Sequence, residues 1–538
     1  MNKTHIKIIA FIILSLSLLP LKAQLVTDEE FRAVWVTTAF NIDWPSSAKL
    51  TSEQQKQEFI TLLEAHQSYG INAVFVQVKP SGEVFWPSKY EPWSHWLTGK
   101  QGKAPDPYYD PLQFMIDECH KRNMEFHAWI NPFRSVSNIA RVKPVSDHIT
   151  RIHPEWFATY GGDIVKIYLN PGIPDARNYI VNVIMEIVHN YDIDGIHFDD
   201  YFYPMKQNGK DFPDYMSYLT YNPNYLSKAE WRRDNINQFI HDLSDSITRV
   251  NPQLKFGVGP GGIWRNISND PDGSKTRGLS SYDALHADVL LWLREGWIDY
   301  VAPQIYWHIG YSRADYHELV DWWSRHTYGR HLYIGQAAHR INSSRSWQNP
   351  SEIPNQIRLN RTYPEVKGSV FYSSKAMLKN LNGINDTLRD NLFFANANPP
   401  KMFWKPLDSI TDVVAVVEYT DTIVSRIKLK RLPQPRTPIR LSTTKVRKEI
   451  LLTWKMDETQ QKFLADTNSF YKVYRFKGKY ADHISEESLF TETNKPRIMV
   501  SRKGRGLFRK KFTFVVTAVN RQNTESWPSE SVIIKMKK

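Results

Sequence analysis

Eight short apolar segments of extended type, with amphipathic helical stretches between them, are the feature that most limits what this chain can fold into. The extended segments are RAVWVTTAF (32–40), NAVFVQVKP (72–80), EFHAWINPF (125–133), GIHFDDYFYP (195–204), KFGVGPGGI (255–263), DYVAPQIYW (299–307), HLYIGQAAH (331–339) and GSVFYSSKA (368–376). Between them lie stretches of helical periodicity, among them SEQQKQEFITLLEAHQSYG, DPLQFMIDECHKRNM, DARNYIVNVIMEIVHNYD, KAEWRRDNINQFIHDLSDSITRV and DALHADVLLWLREGW. Alternation of this kind calls for parallel strands joined by helical crossovers. Eight such units over about 350 residues predict a (β/α)8 TIM barrel in preference to a doubly wound sheet. The longest insertion, 134–178, carries a further short strand in VKIYLNPG.

The flanks read differently. MNKTHIKIIAFIILSLSLLPLKA has a positive start at Lys3 and Lys7, an apolar run from Ile8 to Leu21 and a small residue, Ala23, at its end. That run is short for a membrane span, so 1–23 is expected to be a signal peptide and the rest to be exported to the periplasm, cell surface or medium, with no spanning segment left after cleavage. The barrel is assigned 24–395 and a connector 396–430, with a strand candidate VVAVVEY. From 431 to 538 short strands alternate with turns: EILLTWKM, FYKVYRFKG, RIMVSR, KFTFVVTAVN and SVIIKMKK. With Trp454, Tyr471 and Tyr474 as core aromatics, this part resembles a fibronectin type III sandwich. It also carries the basicity: 24 basic and 10 acidic side chains lie in 431–538, against 42 and 46 in 24–430. A net charge of that sign suggests contact with an acidic polymer or cell surface, and export argues against nucleic acid as the partner.

In a barrel the reactive groups stand at the C-terminal strand ends, and alternation tells which side chains face in. Ile196 and Phe198 share the helix-facing side, so His197 and Asp199 point inward, while Asp200 has outward parity but stands at the strand end, from which it can still reach a loop or the site rim. The same exercise turns Phe75, Gln77 and Lys79 inward on the second strand, His127, Trp129 and Asn131 on the third, and Tyr300, Gln304 and Tyr306 on the sixth. A barrel interior built only for packing is rich in Val, Ile and Leu; one holding Asp199, His127, Asn131, Gln77 and Gln304 needs partners or a ligand for them.

What chemistry do these groups allow? The single cysteine, Cys119, excludes a disulfide scaffold and a cysteine zinc cluster. No paired-histidine ligand spacing, nucleophile elbow or dinucleotide fingerprint occurs, so no metal and no organic cofactor is expected. GVGPGGI is read as a place where backbone approaches a ligand closely. Carboxylate catalysis on a glycosidic bond remains, in which one group gives a proton and an ionised one faces the reacting carbon. With Asp199 and Asp200 on opposite parities, the partner of Asp199 is sought elsewhere: at Glu83 or Glu91 after the second strand, or Asp272 or Asp283 after the fifth. Spacing singles out none of them. A non-catalytic glycan-binding barrel is the competing class, and an endo-glycosidase of dietary or host polysaccharide the nearer rival.

FRAVWVTTAFNIDWPS, SKYEPWS, HAWINPFR, LNPGIPDARNYI, DGIHFDDYFYP, GIWRN and IDYVAPQIYW, in that order over about 30–395, resemble the signature segments of the glycosyl hydrolase-like 10 family of bacterial cell-surface proteins. That resemblance implies a (β/α)8 glycosidase barrel with its nucleophile at Asp199. Around it the resemblance puts Asp200, His127, Asn131, Arg134, Trp264, Arg265, Gln304 and Trp307, and it gives the loop carrying Glu91 a role. Trp35, Asn170 and Tyr201, in three of the same segments, complete the substrate-binding set with Gln77 and Tyr306. The substrate so implied is a polysaccharide of the bacterial cell wall, peptidoglycan glycan strands freed of their peptides among them. One departure is Gly261, where the pattern calls for an aromatic residue.

Overall fold

A computed structural model describes residues 29–405 apart from 225, together with 440–446, 449–455, 470–478, 488–501, 509–519, 529 and 531–537. The expected signal peptide, most of the connector with its VVAVVEY strand, and the turns of the C-terminal part lie outside the described residues.

Eight parallel strands close into a barrel: β1 (Phe31–Val36), β2 (Ala73–Lys79), β3 (Glu125–Ile130), β4 (Gly195–Phe198), β5 (Lys255–Val258), β6 (Tyr300–Val301), β7 (His331–Gln336) and β8 (Val366–Phe371). Each strand pairs with its neighbours in chain order, and β8 closes on β1. All eight expected strands are present, and most stop short of their expected C-terminal limits because the chain leaves the sheet where the polar residues begin. The main helices follow the strands: α1 (Ser52–Ser68), α2 (Pro111–His120), α3 (Pro174–Asn190), α4 (Lys228–Val250), α5 (Val289–Arg294), α6 (Tyr316–Ser324), α7 (Glu352–Asn360) and α8 (Ser374–Leu378). Their starts are specified locally: Thr51 with Gln54 and Ser227 with Glu230 form capping boxes, and Asp110 caps α2 ahead of Pro111. The single helix expected over 283–297 is instead two, Ser281–Ala284 and α5, because His286 between them adopts a left-handed φ of 55°.

The insertion after β3 forms a three-stranded antiparallel sheet, Arg134–Val136, Phe157–Gly161 and Val165–Leu169, with the last strand in the middle. Below the barrel, Met402 joins the interior cluster, Trp404 Nε1 donates to Asp299 Oδ1 at 2.8 Å and Lys405 pairs with Asp299 at 2.7 Å. The first ten residues of the expected connector thus pack against the barrel floor.

Two apolar layers result. Helix-facing residues such as Ile196, Phe198, Val76 and Val258 make the large outer core, while the barrel interior is aromatic: Phe31, Trp35, Phe75, Trp129, Tyr300 and Tyr333. Such bulk fits only because small residues face it. A Cβ on Gly195 would sit 2.3 Å from His127 Nδ1, and one on Gly257 2.4 Å from the Tyr300 ring. Several polar atoms in this interior form a string. Lys255 Nζ donates to Glu125 Oε1 at 2.5 Å, and Glu125 Oε2 lies 3.0 Å from His127 Nε2. Tyr300 Oη lies 3.0 Å from His127 Nδ1 and 3.2 Å from His197 Nδ1, and Trp35 Nε1 donates to His197 Nε2 at 3.1 Å.

The C-terminal described strands form two antiparallel sheets, one of three strands and one of four. Leu452, Trp454 and Val500 from the first share an apolar cluster with Val473, Phe514, Val516 and Ile534 from the second, which makes a two-layer β-sandwich. Two of its strands, Arg440–Val446 and Leu489–Thr493, have no counterpart among those expected from sequence.

Candidate active site

The C-terminal end of β4 is where the chain changes from apolar to acidic. Asp199 follows the last sheet residue; its Oδ1 accepts from Gln304 Nε2 at 2.6 Å and from the Asp200 backbone N–H at 2.8 Å. Gln304 also donates to the carbonyl of Gly259 at 2.8 Å, so the loops after β5 and β6 hold it in place. Parity alone sends Asp200 outward. Here the strand has ended, the Phe202 N–H bonds back to the Asp200 carbonyl at 3.0 Å, and the turn brings the Asp200 side chain into a hydrogen bond with that of Asp199.

Burial raises the Asp199 carboxyl above the usual range, opposed by its hydrogen bonds from Asp200 and Gln304 and by the nearby Arg134 guanidinium. Asp200 is pushed up much further, first by burial and then by the charge of Asp199. Two carboxyls in such contact titrate as a pair. Of the two, Asp200 holds its proton the more firmly, so charge on the pair falls first on Asp199. Tyr201 lies against Arg134, whose Cζ is 4.2 Å from the ring centroid, and it is 45% exposed. Tyr306 and Tyr372 stack at 6.1 Å, and the charge of Asp199 acts on both phenols. Tyr372 was not among the residues expected at the site, although its parity with inward-facing Val370 on the last strand marks it.

The other expected residues divide. Asn131 is fully buried at the end of β3; its amide donates to the Pro80 carbonyl at 3.2 Å while Oδ1 has no partner. Trp35 forms part of the floor, packed edge-on to Tyr372 at 6.3 Å. Gln77 accepts from the Ala39 N–H at 3.0 Å and fixes the loop after β1. His127 lies four residues below Asn131 on its strand, about 13 Å lower, and its ring is engaged in the interior string. Asn170 ties its own loop, donating to Ser217 Oγ at 2.8 Å and accepting from the Gly172 N–H. Trp264 stacks on Trp322 of α6 at 5.8 Å, and Arg265 is held by Asp270 at 2.6 Å and Asp283 at 3.0 Å. Trp307 packs over Gly262, whose Cβ would come 2.9 Å from its ring. At Gly261 an added Cβ would lie 3.0 Å from Ser281 Oγ and 3.9 Å from Asp200 Oδ2, so the position is tight on the Ser281 side and borders that carboxyl on the other.

Glu83 and Glu91 sit in different company from Asp199. Glu83 accepts from Ser94 Oγ at 2.8 Å and Gln101 Nε2 at 3.0 Å and pairs with His95; although burial raises its carboxyl, these partners together hold it below the ordinary value. Glu91 forms a buried ion pair with Lys79 at 2.9 Å, and Tyr179 of α3 donates to it at 3.4 Å. Both carboxylates pin the loop over 83–101. Among the described residues no group of three or more His, Cys, Asp and Glu is arranged to hold a metal, and no helix is long and apolar enough to cross a membrane.

Comparison with known proteins adds the chemistry. The family described as glycosyl hydrolase-like 10 matches residues 30–352. The glycosyl hydrolase YngK of Bacillus subtilis (strain 168) is 44% identical over 485 residues, 87% of this chain and 94% of that protein. The glycosyl hydrolase DigH of Escherichia coli (strain K12) is 39% identical over 374 residues, 64% of this chain and 83% of that protein. Among solved structures, the glycoside hydrolase domain of PgaB (BpsB) from Bordetella bronchiseptica superposes with a TM-score of 0.42 at 14% identity, covering 67% of this chain and 98% of that one.

Proposed function

The chain belongs to the glycosyl hydrolase-like 10 family and is a glycoside hydrolase; from that premise we propose that it is exported and cleaves the glycan strands of bacterial cell-wall peptidoglycan freed of their peptides, with Asp199 and Asp200 as its catalytic carboxyls. The observation that carries the chemistry is the pair of contacting carboxyls at the end of β4, of which Asp200 is held much further above the ordinary range than Asp199. Carboxyls in direct contact are closer than the roughly 5 Å between an acid and a nucleophile that flank a bond. The pair therefore works from one side of the sugar. Asp200 delivers its proton to the glycosidic oxygen as the bond to the anomeric carbon breaks, and the Asp199 carboxylate, steadied by Gln304, faces the positive charge that grows on that carbon. A water then adds to the carbon and returns a proton to Asp200. Tyr201, Tyr306 and Tyr372 offer flat faces on which sugar rings can lie.

The basic C-terminal part, fibronectin type III-like in its strand pattern, serves in this reading as an anchor on acidic wall polymer. The test is turnover by purified 24–538 on peptide-stripped peptidoglycan strands, intact peptidoglycan and a panel of dietary and host polysaccharides. Stripped strands should be cut, and Asp199→Asn should lower kcat by roughly 10²–10⁴ while substrate is still bound. Near-normal turnover by Asp199→Asn would overturn the site, and cleavage confined to the dietary or host panel would overturn the substrate.

A further inference from the structure

Several buried cations of this protein are neutralised by acids, while buried Arg177 is held by the neutral acceptors Pro171, Asn235 and Gln238. Arg32 pairs with Glu30 at 2.7 Å, Lys79 with Glu91 at 2.9 Å, Lys255 with Glu125 at 2.5 Å, and Arg232 with Asp214 at 2.7 Å. Two cations beside the active site have no acid paired with them. Arg134 opens the insertion sheet directly opposite Tyr168, and Lys166 is two residues along the same partner strand, so both project from one face. Diagonal neighbours in such a pair are about 7–8 Å apart, within reach of one another's long side chains. The Arg134 guanidinium bonds the Tyr201 side chain, but its Nε is buried with no hydrogen-bond partner among the described residues, and Lys166 is half-buried. Among the described residues no carboxylate oxygen lies within 4.0 Å of either side chain.

The Arg134 guanidinium already acts on Asp199 at longer range. A second cation partly withdrawn from water next to it adds repulsion, and the lysine is accordingly held below its ordinary value by burial and by Arg134. An anion placed between the two offsets both costs.

We propose that Arg134 and Lys166 form a subsite for a carboxylate carried by the substrate glycan beside the bond that is cut. The inference rests on the function proposed above and refines it. In peptidoglycan strands without peptides, every second sugar carries a free ether-linked carboxylate; where a peptide is attached, that carboxyl is an amide and has no charge. Selection for stripped strands then follows from electrostatics at this subsite. A ring carboxylate of a uronic acid has the same chemistry on a different frame.

The experiment compares wild type, Lys166→Gln and Lys166→Arg on three substrates: stripped strands, the same strands with carboxylates converted to neutral amides, and hyaluronan oligosaccharides, whose carboxylate is on the ring. Wild type should prefer charged over amidated strands by about tenfold or more in kcat/KM, mainly through KM. Lys166→Gln should erase most of that preference, and Lys166→Arg should restore it. Equal kcat/KM on charged and amidated strands, or a preference untouched by Lys166→Gln, would overturn the subsite while leaving the proposed function standing. Failure of wild type to cut either form would overturn the function and this inference with it. A Lys166-dependent preference seen with hyaluronan and not with stripped strands would overturn the cell-wall source of the carboxylate.

Discussion

Asp200 is the residue whose environment does most to set the behaviour of the site. Its carboxyl ionises only against burial and the charge of Asp199, so the folded protein binds a proton there that the unfolded chain, with an ordinary carboxyl near 3.9, releases. The folded state then holds more protons than the unfolded one, and the contribution of Asp200 to stability falls as pH rises above about 4. Asp200→Asn removes that slope. Thermal melts of wild type and Asp200→Asn should coincide most closely in acid and separate as pH increases, with the variant the more stable. The same substitution should lower kcat by roughly 10²–10⁴ and remove the alkaline limb of the pH–rate profile, because the proton donor is gone. Melts that run parallel at all pH values would show that Asp200 is an ordinary carboxylate.

Among the elements, the barrel strands were legible because alternation and length are local. Parity placed Asp199, Gln304 and Tyr306 correctly even though residues 304 and 306 lie beyond the two hydrogen-bonded residues of β6. It failed at Asp200, where a turn replaces the strand, and at His286, where one left-handed residue splits a helix. The company of Glu91 and Lys166 was not legible at all, since Tyr179 and Arg134 come from other elements, and no spacing within the loop over 83–101 announces that Ser94, His95 and Gln101 gather on Glu83. Strand composition also conceals how tightly the interior is fitted: Gly195 and Gly257 look like weak points of β4 and β5, yet each leaves room for a ring from the next layer. Gly195→Ala and Gly257→Ala should each destabilise the barrel by about 1–3 kcal/mol through overpacking, read as a lower denaturant midpoint at unchanged slope. A midpoint that does not move would mean that His127 or Tyr300 has another place to go.

At the scale of the whole molecule, charge is segregated along the chain, with the excess of Lys and Arg confined to 431–538. Removing that segment should weaken sedimentation with acidic cell-wall polymer at low salt, and the difference should vanish as ionic strength rises, since exposed charges are screened over about 10 Å at 0.1 M. Turnover on short soluble glycans should survive the truncation; equal sedimentation of the two forms at low salt would refute the anchor. Through the barrel itself runs the string from Lys255 to Trp35, and its ends fix the direction of every proton in it. An indole N–H can only donate, so His197 Nε2 is bare and its proton is on Nδ1, pointing at Tyr300. Tyr300 must then pass its own hydrogen to His127 Nδ1, which leaves the second imidazole protonated at Nε2, toward Glu125 and its lysine. Burial lowers the pKa of both rings, against the pull of Glu125 on His127, and so favours their neutral forms. The two histidines are thus opposite tautomers, and nitrogen chemical shifts should show one Nδ1–H and one Nε2–H imidazole, neither of them changing between mildly acid and alkaline solution.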